Sequence, residues 1–247
     1  MYKHITKFAL IKPFKIKTMN LPDYLSFGFP LALFVLYLAY LHYKFKIKTW
    51  KHLFKAFIGG TLAIVLVIIA HELTKINDWY YYNYTSLRKI VFYIFIVIAF
   101  CAELGKFIIL RYLFYHEKSF NSPFSGILYG IAISIGFSFT AIIIYATGVI
   151  GFEKIKYLTL FLWTYPLANI VFGTIQGFFL GMGKIRQSTI IDEATALGIA
   201  TFFHALFYFC FLTSNKQLFF IPIIGSIFII FILLEKAISL QPEIKKR

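Results

Sequence analysis

An all-α, polytopic transmembrane helical bundle of about seven spans is the fold class the sequence predicts, and three observations predict it. Apolar side chains make up 60% of the 247 residues and charged ones only 14%, against about 25% charged in an ordinary soluble domain. The chain holds 31 Phe and 17 Tyr, which excludes a polypeptide too polar to bury a core. Seven apolar stretches each approach the roughly 20 residues that carry a helix across a hydrocarbon core about 30 Å thick. Lone strands cannot leave backbone groups unpaired in lipid, and no regular in/out alternation points to a barrel, so the spans are helices.

The organisation follows in chain order. Residues 1–23 read as a basic tail, 24–235 as the transmembrane domain and 236–247 as a second basic tail. The first span, Tyr24–Leu41, is preceded by the run Met19-Asn20-Leu21-Pro22. The second is Leu53–Leu73; the sequence Trp79-Tyr80-Tyr81-Tyr82 with Tyr84 follows it as an interfacial aromatic belt. The third, Ile90–Tyr115, the fourth, Phe124–Ile150, and the fifth, Tyr157–Gly183, exceed one perpendicular crossing and should tilt or run past the interface. Gly126, Gly130, Ser134 and Ser138 recur every fourth residue in the fourth span, and Gly173, Gly177 and Gly181 in the fifth. Small residues at this spacing let backbones approach closely, which places both helices at bundle interfaces. Pro166 should bend the fifth span and free a carbonyl one turn earlier, to be satisfied by Thr164 or a neighbouring helix. Asp192 and Glu193 open the sixth span, Ala194–Thr213, where carboxylates complement the helix dipole. Leu218–Leu234 is the seventh.

Lys and Arg number 25 against 10 Asp and Glu, but they lie between apolar runs instead of forming one dense patch, so they read as interfacial anchors and not as a nucleic-acid surface. Counted in alternate loops they divide eleven to thirteen, which sets no orientation. If translation begins at Met19, the five N-terminal lysines drop out, and the balance favours an outside N-terminus and a cytoplasmic C-terminus. The first 18 residues lack the apolar core of a signal peptide. Cys101 and Cys210 sit inside apolar runs and read as packing residues.

An ionisable group near the bilayer centre costs from about 2.5 to over 10 kcal/mol, so each one calls for an explanation. Glu103 and Lys106 lie in the third span, Asn169 and Gln176 in the fifth, and His204 in the sixth. Glu103 and Lys106, three residues apart, share a helix face and can pair. The pair is either an internal ion pair that serves packing, or a carboxylate facing a wet cavity, kept ionised by Lys106 with His204 beside it. His71-Glu72 is not the start of a zincin motif, because position 75 holds Lys and not His. No phosphate-binding glycine loop or hydrolase elbow is present.

The string Ala102-Glu103-Leu104-Gly105-Lys106, then Phe124-Ser125-Gly126-Ile127-Leu128-Tyr129-Gly130 and Ile135-Gly136-Phe137-Ser138 through Tyr145, resembles the PrsW family of intramembrane proteases. Trp50 to Gly60, Gly173 to Gly183 and His204-Ala205-Leu206-Phe207-Tyr208-Phe209 extend the similarity to about Gly28 to Leu234. The resemblance implies a multi-pass protein of a bacterial-type plasma membrane that cleaves a membrane-anchored, single-span substrate of the anti-sigma-factor kind. Glutamates and a histidine would activate water within the bundle. Residue by residue, Glu103 matches the second member of the family's glutamate pair, Lys106 its following lysine and His204 its late histidine. Ala102 stands in place of the first glutamate, Ser122 where an acidic loop residue can stand, Ala141-Ile142 for Glu-Asn, Asn169 for a histidine and Tyr208 for an aspartate. The expected site is therefore Glu103 as general base, His204 as proton donor or oxyanion partner, Asn169 as a further donor and Lys106 as counter-charge, converging on a hydrated cleft. No cofactor is expected, since the donors fall short of the three protein ligands a catalytic zinc ordinarily takes. Two other functions compete: a pseudoprotease that binds a transmembrane helix without cutting it, and a small-solute transporter with Glu103 as proton relay, for which the sequence offers no inverted repeat.

Overall fold

In lipid every backbone polar group has to find a partner within its own segment, and a chain this apolar meets that demand by winding into helices. The computed structural model describes residues 20–46, 50–76, 87–150, 155, 157–186, 188–212 and 216–240. Six helical stretches among them are long and apolar enough to cross a membrane: Leu21–Phe45, Trp50–Thr74, Leu87–Phe114, Pro123–Ala146, Leu158–Arg186 and Thr189–Cys210. The first consists of α1 (Leu21–Ser26) and α2 (Phe29–Phe45), the second of α3 (Trp50–Leu62) and α4 (Val65–Ile76). The third runs through α5 (Leu87–Phe92), a π-helical stretch Tyr93–Phe100, α6 (Cys101–Ile109) and a second π-helical stretch Leu110–Phe114. The fourth, fifth and sixth are single helices, α7 (Pro123–Ala146), α8 (Leu158–Arg186) and α9 (Thr189–Cys210). The seventh predicted segment is helical as well: a 3₁₀ turn, Lys216–Phe219, leads into α10 (Phe220–Ser239), about 30 Å long at 1.5 Å per residue.

Helix ends depart from the hydropathy boundaries because caps set them. Asn20 donates its backbone N–H to Asp23 Oδ2 at 3.2 Å, with Pro22 in the first turn, so the first helix starts at Leu21, inside the expected tail. At the head of α7, Ser122 and Ser125 exchange backbone and hydroxyl hydrogen bonds of 3.2 and 3.0 Å, and Pro123 occupies the first turn. Ser122 is thus a helix cap, while the aromatic belt at Trp79–Tyr84 lies outside the described residues, as do residues 1–19 and 241–247. Pro166 sits inside an unbroken α8, and Thr164 donates to Leu160 O at 2.7 Å, not to the carbonyl of Leu162 that the proline frees. Cys101 is half-buried and Cys210 buried within the packed bundle, where Cys210 Sγ donates to Leu218 O at 3.5 Å.

The centre of the bundle is α7, with α8 along one side and α3 along another, and α9 packs on α8 and on the π-helical stretch of the third span. The close approach of α7 and α8 depends on facing glycines: a Cβ on Gly130 would strike the carbonyl oxygen of Gly173, and one on Gly126 that of Gly177. The small-residue rows read from the sequence therefore meet each other. The second span breaks at Ala63–Ile64, where Ala63 N–H bonds Gly60 O in a tight turn, and α6 presses Gly105 against the Ala63 carbonyl at this break.

These contacts predict a contrast in thermal stability in detergent. Gly130→Val should destabilise by about 1–3 kcal/mol or prevent folding, as overpacking does, whereas Gly198→Ala, with nothing within 4 Å of the added carbon, should hold or gain up to about 1 kcal/mol.

Candidate active site

The four expected site residues come together from three spans. Glu103 and Lys106 lie three apart on α6, and Lys106 Nζ is 2.7 Å from Glu103 Oε1. His204 on α9 brings its Nδ1 to 2.6 Å from the same oxygen. Asn169 on α8 accepts from Lys106 Nζ through Oδ1 at 2.8 Å and donates from Nδ2 to Tyr165 O at 3.0 Å.

Two further residues complete the cluster. Gln176, seven residues after Asn169 and so two turns further along the same face of α8, donates from Nε2 to Glu103 Oε2 and to the Glu103 backbone carbonyl, both at 2.9 Å. The Tyr165 hydroxyl lies 3.2 Å from His204 Nε2. Gln176 is visible in the sequence as a polar group within a span, and its spacing from Asn169 is the signal that joins it to the site. Tyr165, four residues before Asn169, is on the same stripe, but one tyrosine among 17 carries no signal of its own.

Aromatic rings close the remaining sides. Phe172 stacks on the His204 ring at 5.0 Å and 16°, and the faces of Phe137 and Phe172 stand 5.1 and 5.4 Å from Lys106 Nζ. Glu103, His204, Asn169 and Tyr165 are 0% exposed, and Lys106 and Gln176 1%. The expected cleft is therefore shut in this conformation: the polar groups satisfy one another behind aromatic side chains. Removing an ion from water costs several kcal/mol, which only a network using every strong donor and acceptor offsets.

Four of the positions that depart from the resemblance are packed into the core. Ala102, Ala141, Ile142 and Tyr208 are fully buried in the apolar cluster around the site, with Tyr208 against Phe161 and Tyr145 at 5.8 and 6.1 Å. His71 is buried with Nδ1 2.6 Å from the Tyr93 hydroxyl, a pairing apart from Glu103. Beyond α6, Arg111 forms an ion pair with Glu193 at 2.6 Å, and Asp192 accepts from Ser188 Oγ at 3.0 Å. Glu193 thus also ties the third and sixth spans together.

A family model described as PrsW family intramembrane metalloprotease matches residues 48–234. The chain belongs to the PrsW family. It is similar to Protease PrsW of Oceanobacillus iheyensis, with 25% identity over 166 residues, 66% of this chain and 71% of that protein. No solved structure matches it. All six cluster residues fall inside the region that matches PrsW, and its six apolar helices make the chain a multi-pass integral membrane protein.

The family's description implies a metal, and the donor set here does not fit one. Glu103 and His204 are the cluster's two anionic or imidazole donors, one short of the usual three for catalytic zinc. Among the described residues, no three His, Cys, Asp or Glu gather in a metal-binding group. The position beside the carboxylate is taken by the Lys106 ammonium at 2.7 Å, which would repel a second cation.

Breaking the buried pair from one side should show its weight. Lys106→Met leaves the carboxylate uncompensated and is expected to cost about 3–5 kcal/mol in detergent unfolding. The double variant Glu103→Gln with Lys106→Met should recover most of the loss; equal losses in the single and double variants would refute the pairing.

Proposed function

We propose that this PrsW-family chain hydrolyses a peptide bond in a membrane-anchored, single-span substrate of the anti-sigma-factor kind, through a degenerate active site centred on Glu103 and His204. The observation that carries this reading is the 2.6 Å contact between Glu103 Oε1 and His204 Nδ1. It joins a carboxylate and an imidazole from separate spans inside a family of intramembrane proteases.

The engagement of the carboxylate assigns the roles. Both Glu103 oxygens are held, Oε1 by Lys106 and His204 and Oε2 by Gln176, so Glu103 orients the imidazole and stabilises its positive charge when it forms. His204 Nε2 takes a proton from water as the water oxygen attacks the scissile carbonyl carbon. The imidazolium then returns that proton to the departing amine as the C–N bond breaks. This moves the base role from Glu103, where the sequence alone suggests it, to His204 and leaves Glu103 as the orienting group. Lys106 balances the carboxylate charge throughout, and Asn169 keeps the ammonium in place.

A second reading has one observation in its favour: the cluster is self-satisfied and closed, as suits a pseudoprotease that retains the family's bundle and binds a transmembrane helix without cutting it. Reconstitution with a single-span substrate separates the two. For the protease, cleavage falls by about 100-fold or more in both Glu103→Gln and His204→Gln, the usual weight of acid–base groups. An intact partner that co-purifies equally with wild type and Glu103→Gln, with no product from either, supports the pseudoprotease and overturns the hydrolytic assignment.

A further inference from the structure

His204 uses both ring nitrogens. Nδ1 faces a carboxylate oxygen, which only accepts, so Nδ1 carries the proton. Glu103 and Lys106 cancel each other at 2.7 Å, and a neutral imidazole then leaves this 0–1% exposed cluster without net charge. A neutral imidazole protonated at Nδ1 has a bare lone pair at Nε2, and the group that meets it is the Tyr165 hydroxyl at 3.2 Å.

Tyr165 is itself fixed. Its backbone carbonyl accepts from Asn169 Nδ2 at 3.0 Å, and its ring packs against Phe161, Tyr145 and Phe207 at 4.9, 5.5 and 6.1 Å. Asn169 therefore serves two elements of the site, bonding Lys106 through its oxygen and the Tyr165 backbone through its nitrogen. The result is a chain of groups, Glu103–His204–Tyr165, drawn from three spans and sealed by Phe172 stacked on the imidazole.

We propose that the Tyr165 hydroxyl donates to His204 Nε2, positions the imidazole and passes protons to that nitrogen, giving its own proton to Nε2 as its oxygen takes one from water. The catalytic consequence rests on the reading in which Nε2 takes the proton of water; the hydrogen bond itself does not.

The test uses the full chain in bilayers with ¹⁵N-labelled histidine, the His204 signals being assigned by subtraction of a His204→Gln spectrum. Wild type should show Nδ1 protonated and Nε2 as an unprotonated hydrogen-bond acceptor. Tyr165→Phe should move the Nε2 resonance toward that of a free acceptor and leave Nδ1 protonated. In the cleavage assay the same variant should lower kcat by about 100-fold at unchanged KM, the low end of what a positioned proton-transfer group contributes. An Nε2 that is protonated in wild type, or one that Tyr165→Phe leaves unmoved, overturns the proposal; if Tyr165→Phe does not fold, the wild-type spectrum decides. Absence of cleavage by wild type, with the resonance moving as expected, removes the proteolytic reading and leaves the positioning of His204 standing.

Discussion

A carboxylate with no exposure to water, inside a bundle whose outer solvent is hydrocarbon, is the constraint from which the arrangement of the site follows. Glu103 is tolerable there because an ammonium, an imidazole and an amide reach it from three spans. Each partner brings a requirement of its own. Lys106 needs a second acceptor and finds Asn169; His204 has a second ring nitrogen, and Tyr165 stands beside it. The helices must also come close enough for these contacts. The facing glycines of α7 and α8 and the contact of Gly105 with the break in the second span allow that approach. Packing and polar chemistry are here one problem, since the small residues that bring the backbones together determine where the ion pair can be satisfied.

The third span carries this burden in an unusual backbone. The segment bearing Glu103 and Lys106 is α-helical but is bounded on both sides by π-helical stretches, Tyr93–Phe100 and Leu110–Phe114. A π-turn accommodates an extra residue, which changes the face that later side chains present, and such turns recur at functional sites. In this chain they bracket the charged pair, with the first stretch packed on α9, the helix that supplies His204.

Much of this was legible from residue types because lipid penalises polar side chains so strongly. Glu103, Lys106, Asn169 and His204 stand out in apolar runs, and the structure places them in mutual contact. Gln176 was visible but lacked a partner until the helices were assembled, and Tyr165 was hidden among the chain's many tyrosines. The spans were legible for the same reason, whereas their ends and interruptions were not. Asn20 and Asp23 start the first helix earlier than hydropathy suggests, and the turn at Ala63 and the π-helical stretches lie in continuous apolar sequence. Hydropathy measures composition, and these features are matters of backbone hydrogen bonding. The closed state of the cluster was likewise beyond residue types, since it depends on where the Phe137 and Phe172 rings come to rest.

The family is described as one of metalloproteases, and in this chain the cation beside the buried carboxylate is the Lys106 ammonium. Whether the bundle holds one carboxylate against one imidazole at its core is the claim on which the rest depends. The dipolar coupling between ¹³C-labelled glutamate carboxyl carbons and ¹⁵N-labelled histidine in bilayer-reconstituted protein measures it directly. A strong coupling to a protonated imidazole nitrogen that vanishes in Glu103→Gln is the result expected. A spectrum without that coupling, or with one that survives the substitution, would place the two side chains apart and contradict the account.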